Sequence, residues 1–125
     1  MMAHTRKHIG DFGEQIAKTQ LIRKGMHYVA QQWRCSEGEL DLIMRDGDVL
    51  VFVEVRTRRS SSLGTAAESI TRHKQARLVN LAYSYLEMCS IPQETPWRID
   101  VVAIELDRQG QVVQCLHIPH AIEEH

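Results

Sequence analysis

Residues 38–56 read GELDLIMRDGDVLVFVEVR. Two apolar runs, Leu40 to Met44 and Val49 to Val55, flank Arg45-Asp46-Gly47-Asp48, and the second run is rich in β-branched and aromatic residues. That pattern predicts two strands joined by a tight turn. An Asp-Gly step between apolar runs favours a hairpin, because type I′ turns need positive φ at both central positions. Two acids interrupt the runs: Asp41 lies between Leu40 and Leu42, and Glu54 lies between Val53 and Val55.

Period-two alternation places those acids. On the first strand Glu39, Asp41 and Ile43 share a face, opposite Leu40, Leu42 and Met44. On the second, Leu50, Phe52, Glu54 and Arg56 share a face, opposite the valines at 49, 51, 53 and 55. With Asp46-Gly47 as the two-residue loop, Glu39 lies opposite Glu54 and Asp41 lies diagonal to it. With Gly47-Asp48 as the loop, Asp41 lies directly opposite Glu54. Either register puts both carboxylates and Arg56 on one face, the arrangement expected here, whereas a three-residue loop would separate them. Acids gathered at the end of a buried strand repel each other and lose solvation. Two readings answer that: a hard divalent cation such as Mg²⁺, or a frayed hairpin end whose acids face water or nearby arginines. Spacing alone leaves both open.

Outward from the hairpin, a helix is expected from about Gly10 to Lys24, with Gly25 at its C′ position and a stripe through Ile9, Phe12, Gly13, Ile16, Ala17 and Leu21. Residues 1–8 read as a loose tail. Glu14 flanks the stripe, and Asp11-Phe12-Gly13-Glu14 also fits a capping box with Glu14 at N3. His27 to Cys35 reads as a strand, with Trp33 in the packing. The second hairpin strand is apolar on both faces, which predicts a central place in the sheet under helices. Arg58 to Gly64 is a serine-rich loop. A second helix is expected to open at the Thr65–Glu68 capping box, or later near Thr71, and to run to about Cys89. Ile70, Leu78, Leu81, Ala82, Tyr85 and Cys89 form its stripe, and Lys74 falls on it, either snorkelling to water or facing an anion. Arg98 to Leu106 and Gln111 to Ile118 are the last strands. Asp100 sits in the former among apolar neighbours, to pair with an arginine or flank the site.

The chain has 125 residues, 43% of them hydrophobic, which bounds it to a single domain with a modest core. Its net charge of −1 does not mark a nucleic-acid binder, but the distribution does more. Between Val55 and Val79 stand Arg56, Arg58, Arg59, Arg72, Lys74 and Arg77 against Glu68 alone. A cationic run beside an acidic cluster suits a phosphate backbone. Three cysteines without CxxC spacing read as reduced, buried thiols. No apolar signal or membrane-spanning run appears, so a cytoplasmic protein without a membrane partner is expected.

Glu14 on the first helix, Gly38-Glu39-Leu40-Asp41, and Glu54-Val55-Arg56 together resemble the PD-(D/E)xK nuclease superfamily, the fold of many restriction endonucleases and archaeal Holliday-junction resolvases. Within it the chain is most similar to the YraN-type uncharacterised bacterial family. That similarity runs from about Gly10 to Ile118 and includes GELDLI, VFVEVRTR, SITRHKQ and RIDVVAIE. The resemblance implies an α/β fold with a restriction-endonuclease-like three-layer core, a mixed sheet flanked by helices in the order αβββαββ. It implies that Asp41, Glu54 and the Val55 carbonyl hold Mg²⁺ or Mn²⁺, that Glu14 assists, and that Lys74 and Gln75 supply the second helix's basic or amide group. With Arg58, Arg59 and Arg72 these form the expected phosphate-binding set. Arg56 stands where the superfamily has lysine. Arginine stays protonated and is no general base, though it can hold a phosphate and stabilise its developing charge. The implied activity is hydrolysis of phosphodiester bonds in branched or structured DNA, with a homodimer a natural form for treating two strands. The alternative that Arg56 raises is a nuclease-fold protein of weak or no turnover that binds DNA or a DNA-processing partner. A third reading is a metal-dependent enzyme on a different phosphate substrate.

Overall fold

Residues 38–56 fold as their pattern predicts, into the centre of a five-stranded sheet. The computed structural model describes residues 6–59 and 70–123. Helix α1 (Arg6–Arg23) is followed by β1 (His27–Cys35), β2 (Gly38–Asp46), β3 (Val49–Arg59), α2 (Arg72–Met88), β4 (Trp97–Leu106) and β5 (Val112–Ile122). The strands lie in sequence order, antiparallel except for β3 and β4, which run parallel. A parallel neighbour needs a long crossover, and α2 lies within it. The fold is thus α/β with a mixed sheet between two helices, in the expected order.

The two helices cover opposite faces. On one, Ala17 and Leu21 of α1 pack with Leu42, Met44, Val51, Val53, Val102 and Ile104. On the other, Leu78, Leu81, Ala82 and Tyr85 of α2 pack with Leu40, Ile43, Phe52, Ile99 and Val101. Phe52 and Trp33 both meet the Tyr85 ring edge-on, at 5.5 and 5.2 Å between centroids, so Trp33 belongs to the packing. β3 and β4 are buried on both faces, which explains why their sequences run apolar without alternation.

Several boundaries differ from the sequence expectation. α1 begins at Arg6, so Asp11 lies inside the helix and Asp11–Glu14 is not a cap. α2 begins at the later of its two candidate starts, where Thr71 caps it by accepting from the Lys74 N–H at 3.2 Å. The Thr65–Glu68 alternative and most of the serine-rich loop lie outside the described residues. β3 runs on to Arg59, paired with β4 along an unbroken ladder, and β5 runs on to Ile122, which pairs with Ile99 beyond a shift of register. Cys89 is exposed and Cys35 and Cys115 are only partly buried, against the expectation of buried thiols. Asp46 pairs with Val49, so the hairpin loop is Gly47-Asp48. Positive φ falls at Gly47 (+61°) and not at Asp48, the pattern of a type II′ turn rather than I′. This selects the register in which Asp41 lies across from Glu54.

Candidate functional site

The β2–β3 ladder ends at Leu42↔Val53. Beyond it, β2 stays paired with β1 as far as Gly38, and β3 stays paired with β4 as far as Arg59. The two central strands therefore fork, and Asp41 and Glu54 are the first residues past the split. The Val55 N–H has lost its β2 backbone partner and donates to Asp41 Oδ2 at 3.0 Å. In a strand the N–H and C=O of one residue face the same neighbour, so the Val55 carbonyl looks into the same fork.

Strict alternation does not survive the fork. Leu40 packs with Ile43 on the α2 side, whereas Leu42 and Met44 pack on the α1 side. The switch falls at Asp41. Opposite it on β1, Gln32 has φ of +51° and is the residue skipped between the Gln31↔Leu42 and Trp33↔Leu40 pairs. The shared face expected for Glu39, Asp41 and Ile43 is thus broken, yet Glu39 and Asp41 still border one cleft.

That cleft holds about 270 Å³ and is lined by Glu39, Asp41, Glu54, Arg56, Lys74, Arg77, Leu78 and Leu81. The Asp41 and Glu54 carboxyls are hydrogen-bonded to each other. Burial first, then the Asp41 charge and that hydrogen bond, push Glu54 up to about 9, while Arg56 and Lys74 pull the other way. Burial also raises Asp41, with the Glu39 charge adding; bonds from Glu54 and the Val55 N–H, and the Arg56 charge, oppose it. At neutral pH Glu54 therefore keeps its proton, beside an Asp41 that is itself shifted upward. Arg56 Nη1 lies 3.7 Å from Glu54 Oε2, with the Glu54 side chain only 13% exposed.

Glu14 approaches from α1. The helix comes so close to β3 at Gly13 that a Cβ there would collide with Oγ1 of Thr57. Burial, and next the Asp41 charge, bring Glu14 up to about 7, with Glu39 and Asp11 adding; its hydrogen bond from Gln32 opposes the rise. A glutamine on an edge strand carries no sequence signal, and Gln32 was not among the expected site residues. Arg77, in the sequence only part of a charge excess, reaches the cleft one turn after Lys74, past the bare Cα of Gly38.

The remaining expected residues separate from the cleft. Arg72 and Gln75 line a neighbouring cavity of about 620 Å³ with Val79, Asn80 and Glu123, and the Gln75 amide donates to the Ile70 carbonyl at 3.3 Å. Arg58 and Arg59 end β3, and Arg59 donates to the Arg108 carbonyl at 3.1 Å, toward the β4–β5 turn. Asp100 takes the arginine alternative. Fully buried, it accepts from Arg98 Nε at 2.9 Å and from the His120 N–H at 2.8 Å, and it meets His117 Nε2 at 2.8 Å. Among the described residues, no three His, Cys, Asp or Glu side chains converge as a ready-made metal cluster.

Comparison with known proteins places this geometry in a family. The chain is 52% identical over 124 residues to a UPF0102 protein of Roseiflexus castenholzii, covering 98% of this chain and 99% of that one. A UPF0102 protein of Pelotomaculum thermopropionicum is 42% identical over 127 residues, covering 96% and 99%. Among solved structures, Pyrococcus furiosus SfsA in complex with Ca²⁺ superposes at a TM-score of 0.37 with 13% identity, covering 94% of this chain and 65% of that one. At that score the likeness carries no inference about chemistry. Among the described residues, no helix is long and apolar enough to cross a membrane. The model of uncharacterised protein family UPF0102 matches residues 13–104, a span that holds Glu14, Asp41, Glu54, Arg56 and Lys74, and the chain belongs to that family.

Proposed function

We propose that this protein is a divalent-cation-dependent endonuclease of the PD-(D/E)xK type, hydrolysing phosphodiester bonds in branched or structured DNA. One observation carries the reading: two mutually bonded, desolvated carboxylates stand at a strand fork whose opposite wall is cationic. Left alone, such a pair is destabilising, and its proton is a substitute for a cation.

The donor set fits Mg²⁺ or Mn²⁺. Asp41, Glu54 and the fork-facing Val55 carbonyl are all oxygen donors, and Mg²⁺ is usually held by one or two carboxylates, with waters and substrate phosphate completing its shell. The lack of a third converging side chain is therefore compatible with such an ion. Bound there, it would supply Lewis-acid polarisation of the phosphate and acidification of a water. The chain's own residues do the rest. Lys74 and Arg77 present charge to the phosphate backbone from α2, and Arg56 adds a fixed guanidinium beside the reacting phosphate. Arg56 takes no proton, so the base function of the superfamily lysine falls elsewhere. Glu14 lies within electrostatic reach of Asp41 and supplies a further carboxylate.

The test is cleavage of labelled single-stranded, duplex, flapped and four-way-junction DNA with Mg²⁺ or Mn²⁺, run beside Asp41→Asn. Cutting by the wild type and not by the variant supports the assignment; equal cutting by both refutes it. The Arg56–Glu54 ion pair favours a second reading, because a fixed cation already answers part of the acidic charge. In that reading the protein binds DNA without turnover, and gel shifts persist in EDTA while no substrate is cut.

A further inference from the structure

β1 carries a backbone anomaly across from the site. Gln32 faces Asp41, unpaired between two regular pairs, with φ of +51°. A non-glycine residue in the left-handed region is uncommon, and such outliers persist where surrounding structure holds them. Here the holding contacts are in the side chain. Gln32 Nε2 donates to Asp11 Oδ1 at 2.9 Å and to Glu14 Oε1 at 3.2 Å. Asp11 and Glu14 are three residues apart and so neighbours on the α1 surface. A single amide NH₂ thus spends both hydrogens bridging two carboxylates of one helix.

A neutral donor suits this position. Arginine or lysine would cancel negative charge beside the Asp41–Glu54 pair. Glutamine fixes the direction of a carboxylate and leaves its charge in place, and Glu14 keeps its second oxygen for other partners.

We propose that Gln32 is a positioning residue for the site: from β1, across from Asp41, it clamps Glu14 and so orients an outer carboxylate for the waters around a divalent cation held by Asp41 and Glu54. The proposal rests on the metal-site reading above. Its test is calorimetric titration of Mn²⁺ into wild type, Gln32→Gly, Glu14→Gln and the double variant, with melting temperatures in EDTA. Glycine adopts φ of +51° without strain, so Gln32→Gly removes the clamp and keeps the backbone. It is expected to melt close to wild type and to bind Mn²⁺ about tenfold more weakly, the usual effect of losing an outer-shell partner. On the Glu14→Gln background the same substitution should change nothing further, because the clamp acts through Glu14. Equal affinities for wild type and Gln32→Gly, or the same loss in both backgrounds, overturns the clamp while the metal site stands. No Mn²⁺ binding by wild type overturns the metal-site reading and the clamp with it. If Gln32→Gly melts well below wild type, Gln32→Asn decides: asparagine tolerates the left-handed backbone but is one methylene too short to bridge both acids. Wild-type affinity in Gln32→Asn overturns the clamp; weakened affinity that vanishes as an effect on the Glu14→Gln background supports it.

Discussion

Stripped of divalent cations, this protein should lose stability as the pH rises from 5.5 to 8, and Glu54 should account for most of the loss. In the folded state burial and the Asp41 charge push Glu54 up to about 9, against 4.5 for the unperturbed side chain. Between those two values the unfolded chain has released the proton that the folded chain keeps. The unfolded state then binds fewer protons, so stability falls with rising pH, by about 1.4 kcal/mol per unit for one proton. Across the 2.5 units chosen, the loss from the Glu54 proton is about 3.5 kcal/mol. For a domain of this size that is roughly 10 °C in melting temperature. Glu14, raised to about 7, adds in the same direction over the lower part of the range.

The assay is thermal unfolding followed by circular dichroism in EDTA, at several pH values, on wild type and Glu54→Gln. Glutamine mimics the protonated acid and does not titrate, so the variant should lose most of the slope and outlast wild type at pH 8. Mg²⁺ added at pH 8 should raise the wild-type midpoint and leave the variant nearly unmoved, because a cation reverses the electrostatics of the pair. A wild-type midpoint that is flat or rising from pH 5.5 to 8, or a variant with the wild-type slope, would refute the reasoning about the buried pair.

Three further outcomes are expected. Gly13→Ala, which in an open helix stabilises by about 1 kcal/mol, should here destabilise by about 1–3 kcal/mol in urea titration because its Cβ meets Thr57 Oγ1; Thr57→Ala should rescue it, and additive losses would contradict the contact. Asp100→Ala should cost about 3–5 kcal/mol of stability by leaving Arg98 and His117 without their buried acceptor; a loss under about 1 kcal/mol would show the network to be ornamental. Arg56→Lys, which installs a group able to lose its proton, should speed single-turnover cleavage with Mg²⁺ about tenfold or more; slower cleavage would show that the guanidinium itself is used.

What the sequence disclosed of this site, and what it withheld, divides along one physical line. A charged residue between Val53 and Val55 is legible because burying it is expensive wherever the strand lies, and the parallel central place of β3 follows from its unbroken apolar run. The face that Leu40 takes is not legible, since Leu40 and Leu42 are equally content on either side of the sheet. What decides it is a backbone event at Gln32 and Asp41, and neither residue type announces positive φ or a break in alternation. With a two-residue loop the sequence allows two registers, because Asp46-Gly47 and Gly47-Asp48 both make credible loops; Gly47 at the first central position selects the second. These unannounced features are one feature. Moving Asp41 off the β2–β3 ladder requires β2 to leave β3, and β1 must follow β2 to stay paired, which is where Gln32 departs from regular strand geometry. β3 cannot follow, because it is bound to β4 through ten consecutive pairs from Leu50 to Arg59. The rail carrying Glu54 and Arg56 is therefore fixed, and the hairpin arm carrying Asp41 bends away from it. The fork then lets two buried acids hydrogen-bond to each other, with Gln32 steadying Glu14 from the far strand.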